Sequence, residues 1–338
     1  EDFHEKSAVI HDIRNRLCQD NPDIKTVINS EIVPAIIAVG RNCKSEETLI
    51  EIIWILANLS FGDHDTISTL LELKVPNFLL EQLKDYPSED VFCNILWCLA
   101  NLAYDGYKTR DVLLEQRIIT AIYDVFDKQK QSLSDSTRNR LAWAFCALND
   151  QQPFPEYSLV RKTSKYLGYA LIHEKEPETM HYLLKAVMLS LRTQRLEAIR
   201  DLKKDRVLFQ VQKNFLAVKD DNYSELDKYI ACFCYFVSET LNNKDLISIV
   251  TDPKVFEKLA SLLKRWKDNH KIVGLVGQLV EESENGAEDL LKANHYTLDI
   301  LSRILLEEQA STGVFQDGVK MLGNLLFYGE KNTRKSIL

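Results

Sequence analysis

The stretch Glu51-Ile-Ile-Trp54-Ile-Leu-Ala-Asn58-Leu-Ser occurs a second time as Asn94-Ile-Leu-Trp97-Cys-Leu-Ala-Asn101-Leu-Ala. In both copies Trp precedes Asn by four residues, about one helical turn, so the two side chains lie on one helix face. The aliphatic residues around them predict a buried side, namely Ile52, Ile53, Leu56, Leu59, Ile95, Leu96, Leu99 and Leu102. We therefore predict two equivalent helices that present an aromatic ring and an amide on the remaining face.

The spacing of these two stretches continues along the chain. Trp97 follows Trp54 by 43 residues and Trp143 follows Trp97 by 46, although Ala147 stands where Asn is expected. The later positions equivalent to Trp and Asn are predicted at Val187 and Leu191, Cys232 and Phe236, Gly274 and Gln278, and Lys320 and Asn324. Such a period without strand patterns is typical of an α-solenoid, because each repeat buries its apolar face against the next.

We predict an all-α protein, a right-handed α-solenoid of about seven repeats with three helices in each. Residues 1–21 are expected to form an N-terminal capping helix, which Asn21-Pro22 ends. The repeats are predicted near 22–62, 63–106, 107–150, 151–193, 194–245, 246–286 and 287–338. Stacked repeats share a core, so the whole chain is predicted to be a single solenoid whose third helices line a concave surface.

Composition narrows the class of partner. The 338 residues carry a formal charge of −8. An acidic protein is a poor general binder of nucleic acid or of anionic membranes, and a suitable partner for a basic peptide. No apolar run approaches the roughly 20 residues of a membrane span.

The seven cysteines form no Cys-x-x-Cys pair and lie mostly in apolar helical stretches, which predicts reduced core residues of an intracellular protein. The chain lacks a signal peptide and does not begin with Met, so it could be a fragment.

Motifs of catalysis do not occur in the sequence. We find no phosphate-binding glycine loop, no nucleophile elbow and no His-Glu-x-x-His zinc motif. Asp63-His64-Asp65 is interpreted as a polar turn with a solvated histidine, and Cys232-x-Cys234 as part of the core. We therefore predict a protein that is not an enzyme and that holds neither a metal nor a cofactor.

The repeated residues resemble the armadillo repeats of importin-alpha, an adaptor family that carries cargo with nuclear localisation signals. The segment 101–113, N-L-A-Y-D-G-Y-K-T-R-D-V-L, resembles the family's N-I-A-G-D-G-x-x-x-R-D-x-V. The segment 153–160, with two prolines followed by Leu-Val, resembles the entry to the family's next repeat. The resemblance covers about residues 24–192 and continues by register alone over 193–338.

In that family a ladder of Trp and Asn binds an extended basic peptide. The amides hydrogen-bond to the peptide backbone, the indoles flank the stems of Lys and Arg, and carboxylates pair with their charges. The resemblance thus implies peptide-binding residues at Trp54, Asn58, Trp97, Asn101, Asp105 and Trp143, with Asp105 receiving the key lysine. Asp150 replaces a usually basic residue, and an acid there could help to bind basic cargo. Farther along, Gly274, Gln278 and Lys320 depart from the ladder, and Asn324 alone fits a weak second site.

The resemblance implies a partner protein or peptide with a basic linear motif, met in the cytoplasm and nucleus. Contact with importin-beta would need a basic segment preceding residue 1. The decay of the ladder after Ala147 favours an alternative, a non-transport armadillo scaffold that is a structural subunit of a larger assembly. Simpler interpretations also stay open: tryptophans 54 and 97 as core residues, Asp105 as a turn residue, and Asp150 as a solvated loop charge.

Overall fold

The structure is a computed structural model of the chain. It describes residues 2–84, 87–193, 195–238, 244–263, 270–282, 285–293, 296–306, 312–330, 334–335 and 337. These residues form helices and connecting turns without a strand, which confirms the predicted all-α class. Contacts divide the chain into two compact units, residues 1–201 and residues 202–338.

The helices of the first unit are α1 (Asp2–Leu17), α2 (Ile24–Asn29), α3 (Ile32–Asn42), α4 (Glu46–Leu59), α5 (His64–Glu72), α6 (Val75–Lys84), α7 (Glu89–Tyr104), α8 (Tyr107–Glu115), α9 (Ile118–Gln129), α10 (Asp135–Asn149), α11 (Tyr157–Val160), α12 (Lys162–His173) and α13 (Pro177–Thr193). The unit boundary falls within α14 (Arg195–Lys204). The helices of the second unit are α15 (Val207–Ala217), α16 (Tyr223–Ser238), α17 (Lys244–Val250), α18 (Pro253–Leu262), α19 (His270–Glu282), α20 (Gly286–Ala293), α21 (Thr297–Leu306) and α22 (Thr312–Tyr328). From α2 onward the described helices come in threes, and the third of each is the longest.

A serine caps the N-terminus of each of the first three long helices. The hydroxyls of Ser45, Ser88 and Ser134 each accept a hydrogen bond from the backbone N–H three residues later, at the starts of α4, α7 and α10. Acidic residues follow in each first turn, where the helix dipole favours negative charge. Each serine precedes the Trp of its helix by nine residues. The cap therefore sets where that Trp lies along the helix.

The long helices of the first unit lie side by side. α4 packs between α1 and α7, and α7 packs between α4 and α10, which in turn packs on α13. The eight aliphatic residues that the sequence places on the buried sides of α4 and α7 are all fully buried, as predicted. Burial of one such side chain contributes about 1.5–3 kcal/mol. The uncovered strip of each helix is the one that carries Trp and Asn.

In the second unit the long helices also pack in order, α16 on α19 and α19 on α22. α19 approaches α22 through glycines. A Cβ added to Gly277 would lie 3.1 Å from the Cβ of Met321, and one added to Gly274 would lie 3.1 Å from the carboxylate of Asp317. Any side chain larger than that of glycine at position 274 would therefore require the Asp317 side chain to move.

In several repeats, the first two helices are joined by a residue whose backbone lies in the left-handed region. Lys74, Arg117 and Arg206 have φ values of 58°, 60° and 60° between α5 and α6, α8 and α9, and α14 and α15. This conformation places Cβ close to the backbone and costs a residue other than glycine about 1 kcal/mol or more. The strain therefore recurs at the same point of the repeat.

Replacing Arg117 with glycine should relieve this strain. Its side chain is exposed, so Arg117→Gly is expected to raise the free energy of unfolding by about 0.5–1 kcal/mol. Urea denaturation followed by circular dichroism measures the change. Lys165→Gly, at an exposed position inside α12, is the control and should lower stability by about 1 kcal/mol. A loss of stability in Arg117→Gly as large as the control's would contradict the prediction.

Arg110, in the segment 101–113, is fully buried and anchors α8. Its guanidinium donates hydrogen bonds to the carbonyl oxygens of Asp150, Gln151 and Pro153 at 2.5–2.7 Å, and to the carboxylate of Asp111 at 2.7–2.9 Å. A buried charge is tolerated only with such partners. Arg110 therefore ties α8 to the segment that follows α10.

Lysine cannot replace this anchor, because an ammonium does not reproduce the planar fork of donors. We expect Arg110→Lys to lower the free energy of unfolding by about 3 kcal/mol. Thermal and urea denaturation would measure the loss. Lys108→Ala changes an exposed residue of the same helix and should stay within about 0.5 kcal/mol of wild type. Equal stability of Arg110→Lys and Lys108→Ala would refute a structural role for the guanidinium.

Candidate functional site

The predicted binding residues Trp54, Asn58, Trp97, Asn101 and Trp143 lie on the uncovered strips of α4, α7 and α10. This surface is the ladder face. Its three tryptophans are half-buried, since the aliphatic residues beside them occupy the core. Each Trp lies eight residues after the first residue of its helix. Adjacent helices therefore carry their indoles at matching heights.

Two indoles of the ladder face already hold an arginine of the chain. The Cζ atom of Arg14, on α1, lies 4.8 Å from the ring centroid of Trp54. The Cζ atom of Arg140, on α10, lies 4.6 Å from that of Trp97. Cation–π attraction operates at these distances. Arg14 also donates two hydrogen bonds to Glu51, at 2.7 and 3.1 Å, whereas Arg140 forms no ion pair with a described residue.

Trp143 has an aromatic neighbour instead of a cation. The ring of Tyr104, at the end of α7, stacks on it with 5.9 Å between centroids and 25° between planes. Burial raises the pKa of Tyr104 to about 12, so the phenol is neutral at physiological pH. One face of Trp143 is thus covered by a neutral ring.

The two amides of the ladder face differ in how firmly they are held. Nδ2 of Asn101 donates to the carbonyl oxygen of Ala57 and to the hydroxyl of Ser60, both at 3.2 Å. Nδ2 of Asn58 reaches only the sulfur of Cys18, at 3.5 Å. Neither Oδ1 accepts a hydrogen bond from a residue that the structure describes. Both oxygens are therefore available to the N–H groups of an extended peptide.

Asp105, which follows α7, is held by two neighbours. Its carboxylate accepts a hydrogen bond from the Thr109 hydroxyl at 2.7 Å, and Nδ1 of His64 lies 3.0 Å from both carboxylate oxygens. The Asp105 side chain is 9% exposed, and that of His64 is 72% exposed. His64 is thus largely solvated, as predicted, and its contact with Asp105 is an addition that the sequence did not predict. A ligand ammonium would reach Asp105 by displacing the exposed imidazole.

Asp150, which follows α10, is also paired within the chain. Its carboxylate lies 2.9 Å from Nζ of Lys185 and accepts the Gln151 N–H at 2.8 Å. Burial acts to raise the pKa of Asp150, but the bonds from Lys185 and Gln151 outweigh it and leave the pKa below its usual range. The alternative of a solvated loop charge is wrong, because the carboxylate is half-buried and paired.

The register predicted for α13 and α16 is wrong. Val187 and Leu191 were expected on the uncovered strip of α13, and Cys232 and Phe236 on that of α16, yet all four are buried. Counting eight residues from the start of α13, as in the three tryptophan helices, reaches Lys185, which is half-buried. This lysine pairs with the carboxylate of Asp150, which follows α10.

The register predicted for α19 and α22 agrees with a recurring hydrogen bond. Nδ2 of Asn324 donates to the carbonyl oxygen of Gly277 at 2.8 Å, as Asn101 does to Ala57. In both cases the acceptor precedes the residue predicted at the Asn position of the neighbouring helix. Lys320 is exposed, one turn before Asn324. The predicted weak second site therefore has its amide in place, beside a lysine rather than an indole.

Sequence reasoning missed the arginines that contact the indoles. One signal was available, because Arg140 precedes Trp143 by three residues and so lies one turn back on the same helix face. Glu51 and Asn94 hold the equivalent positions in α4 and α7. No comparable signal exists for Arg14, because α1 has no aromatic residue that marks a repeat register.

Metal ions and membranes are two further classes of partner. Among the described residues, no three His, Cys, Asp or Glu side chains come together in a way that could hold a metal ion. Asp63 accepts the N–H and hydroxyl of Thr66 and thereby caps α5. In the part of the chain that the structure describes, every helix is too short or too polar to cross a membrane.

Comparison with known proteins rests on structure alone. No protein-family model matches the sequence, and no curated protein does. An engineered protein of the Northeast Structural Genomics Consortium matches with a TM-score of 0.75 at 14% identity, covering 98% of this chain and 77% of its own. A designed armadillo repeat protein in complex with the peptide (KR)4 matches with a TM-score of 0.56 at 18% identity, covering 69% of this chain and 94% of its own. Computationally designed armadillo repeat proteins for modular peptide recognition match with a TM-score of 0.57 at 16% identity, over 69% of this chain and 93% of theirs. The chain thus has an armadillo-like α-solenoid fold.

Proposed function

We propose that this protein is a peptide-binding adaptor whose ladder face binds an extended basic segment of a partner protein. The segment would run across α4 and α7 and place a lysine or arginine between the indoles of Trp54 and Trp97. The observation that carries this proposal is the pairing of a half-buried indole with an amide at the same height on two adjacent helices.

The geometry matches an extended chain. Neighbouring packed helices lie roughly 8–10 Å apart, and alternate side chains of an extended strand are roughly 6.5–7 Å apart. The Oδ1 atoms of Asn58 and Asn101 can accept the backbone N–H groups of that strand. Arg14 and Arg140 already rest on indoles of this face, which supports its affinity for cations.

Three further observations favour a basic segment. The chain carries a formal charge of −8, which attracts cationic partners at long range. A structural neighbour of designed armadillo type was solved with the peptide (KR)4. The segment 101–113 resembles the corresponding segment of importin-alpha, whose cargo signals are basic. We therefore propose that the adaptor acts by binding rather than by catalysis, on localisation-signal-like segments in the cytoplasm and nucleus.

A second candidate function is a structural subunit that holds one fixed partner. The pairing of Asp105 with His64 and of Asp150 with Lys185 favours it, because both predicted acidic receptors are already satisfied within the chain. A fixed scaffold does not need to capture free basic peptides. The two functions therefore differ in whether a short peptide binds at all.

Fluorescence anisotropy tests the proposal with a labelled extended peptide that carries one central lysine in a serine and threonine background. We expect micromolar binding at about 50 mM salt that weakens at about 300 mM. Trp97→Ala combined with Asn101→Ala should lower the affinity about tenfold or more, because it removes an indole wall and a backbone contact.

The matched control is Asn77→Ala, which removes an exposed amide of α6, outside the ladder face, and should leave the affinity unchanged. Circular dichroism would confirm that each variant is folded. Absence of binding by the folded wild type would exclude the adaptor and leave the scaffold.

A further inference from the structure

On the ladder face, the space between the indoles of Trp54 and Trp97 is the one place where a cationic side chain of a partner can lie between two indoles. We call this space the slot. Resting on the proposed function, we infer that the protein selects an extended segment with a single lysine or arginine, flanked two residues away on each side by residues that are not basic. The two arginines of the chain impose this charge pattern, since they occupy the positions that further basic side chains would need.

The positions of the helices determine which indole faces are closed. Arg14 comes from α1 and Arg140 from α10, and these helices pack on the outer sides of the α4–α7 pair. Arg14 therefore covers the face of Trp54 that points away from α7, and Arg140 covers the face of Trp97 that points away from α4.

The inner faces of the same two indoles have neither an aromatic ring nor a cation stacked on them among the described residues. Neither ring contacts another aromatic ring or a second cation among the described residues. The next indole along the ladder, Trp143, has Tyr104 stacked on it. The space between Trp54 and Trp97 is therefore the place on the described tryptophan ladder where neighbouring indoles have no ring or cation of the chain between them.

Electrostatic repulsion from the two arginines determines which side chains of the partner segment can lie beside the slot. Side chains two residues before and after the central one point the same way from an extended strand, so they reach the two arginines. A basic side chain there would meet a like charge, which is the repulsive element that specificity often requires. The charge of Arg14 is offset by Glu51, so the stronger repulsion comes from Arg140.

A cleft beside Arg140 makes its role testable. The cleft has a volume of about 410 Å³ and is lined by Asp135, Glu176 and Glu178 as well as by Arg140. Asp135 is paired with Arg138, whereas Glu176 and Glu178 form no ion pair with a described residue. Without the guanidinium, the cleft would be acidic and would accept a second basic side chain.

The experiment measures two labelled peptides of a serine and threonine background by fluorescence anisotropy. One has a single central lysine, and the other has lysines at the centre and two residues to each side. Arg140→Gln should tighten binding of the three-lysine peptide about fivefold to tenfold and change the single-lysine peptide less than about twofold.

Two variants act as controls. Arg200→Gln removes an exposed arginine of α14, outside the ladder face, and should change both affinities by less than about twofold. Arg140→Lys keeps the charge and should retain the wild-type preference. Together they separate local repulsion from the general effect of net charge.

The inference is overturned if Arg140→Gln and Arg200→Gln give the same ratio of the two affinities, or if Arg140→Gln weakens the three-lysine peptide. The second outcome would mean that Arg140 contacts the ligand directly. Failure of the proposed function looks different, because then neither peptide binds the wild type or Arg140→Gln, or binding survives Trp97→Ala.

Discussion

The side-by-side packing of the long helices in the first unit is the constraint on which its other features depend. A helix with neighbours on both flanks and a core behind it keeps only a narrow strip uncovered. On α4 and α7 that strip holds the Trp and the Asn, because the aliphatic residues at the other positions are fully buried. The serine caps then align the strips, since each starts its helix nine residues before the Trp. The ladder face is thus a consequence of how the core is built.

The same packing supplies the face with ligands from its own chain. Two arginines rest on indoles, a tyrosine covers the third, and the two carboxylates after α7 and α10 are paired with a histidine and a lysine. These contacts hold the indoles and carboxylates in place before any partner arrives. They also mean that part of the binding free energy is spent on displacing internal contacts. A face arranged in this way discriminates by what it repels as well as by what it attracts.

The parts of the fold that could be predicted are those that local sequence specifies. The aliphatic pattern correctly predicted the buried sides of α4 and α7, and the repeat spacing correctly predicted helices in groups of three. The register of α13 was predicted wrongly because no serine caps that helix and no Trp marks its strip. There, Glu174 accepts the N–H groups of the two residues that follow it.

The partners of the indoles were missed for a different reason. Arg14 and Trp54 are 40 residues apart, and only the packing of α1 on α4 brings them together.

The most direct test of the central claim is ¹⁹F NMR of protein labelled with fluorotryptophan, titrated with the single-lysine peptide. Tryptophan-to-phenylalanine variants would assign the resonances. A basic side chain held between α4 and α7 predicts that the resonances of Trp54 and Trp97 shift together and saturate at the same peptide concentration. Trp143, stacked on Tyr104, should shift much less. Movement of Trp143 without the other two, or no movement at peptide concentrations that saturate the anisotropy signal, would contradict the assignment of the slot.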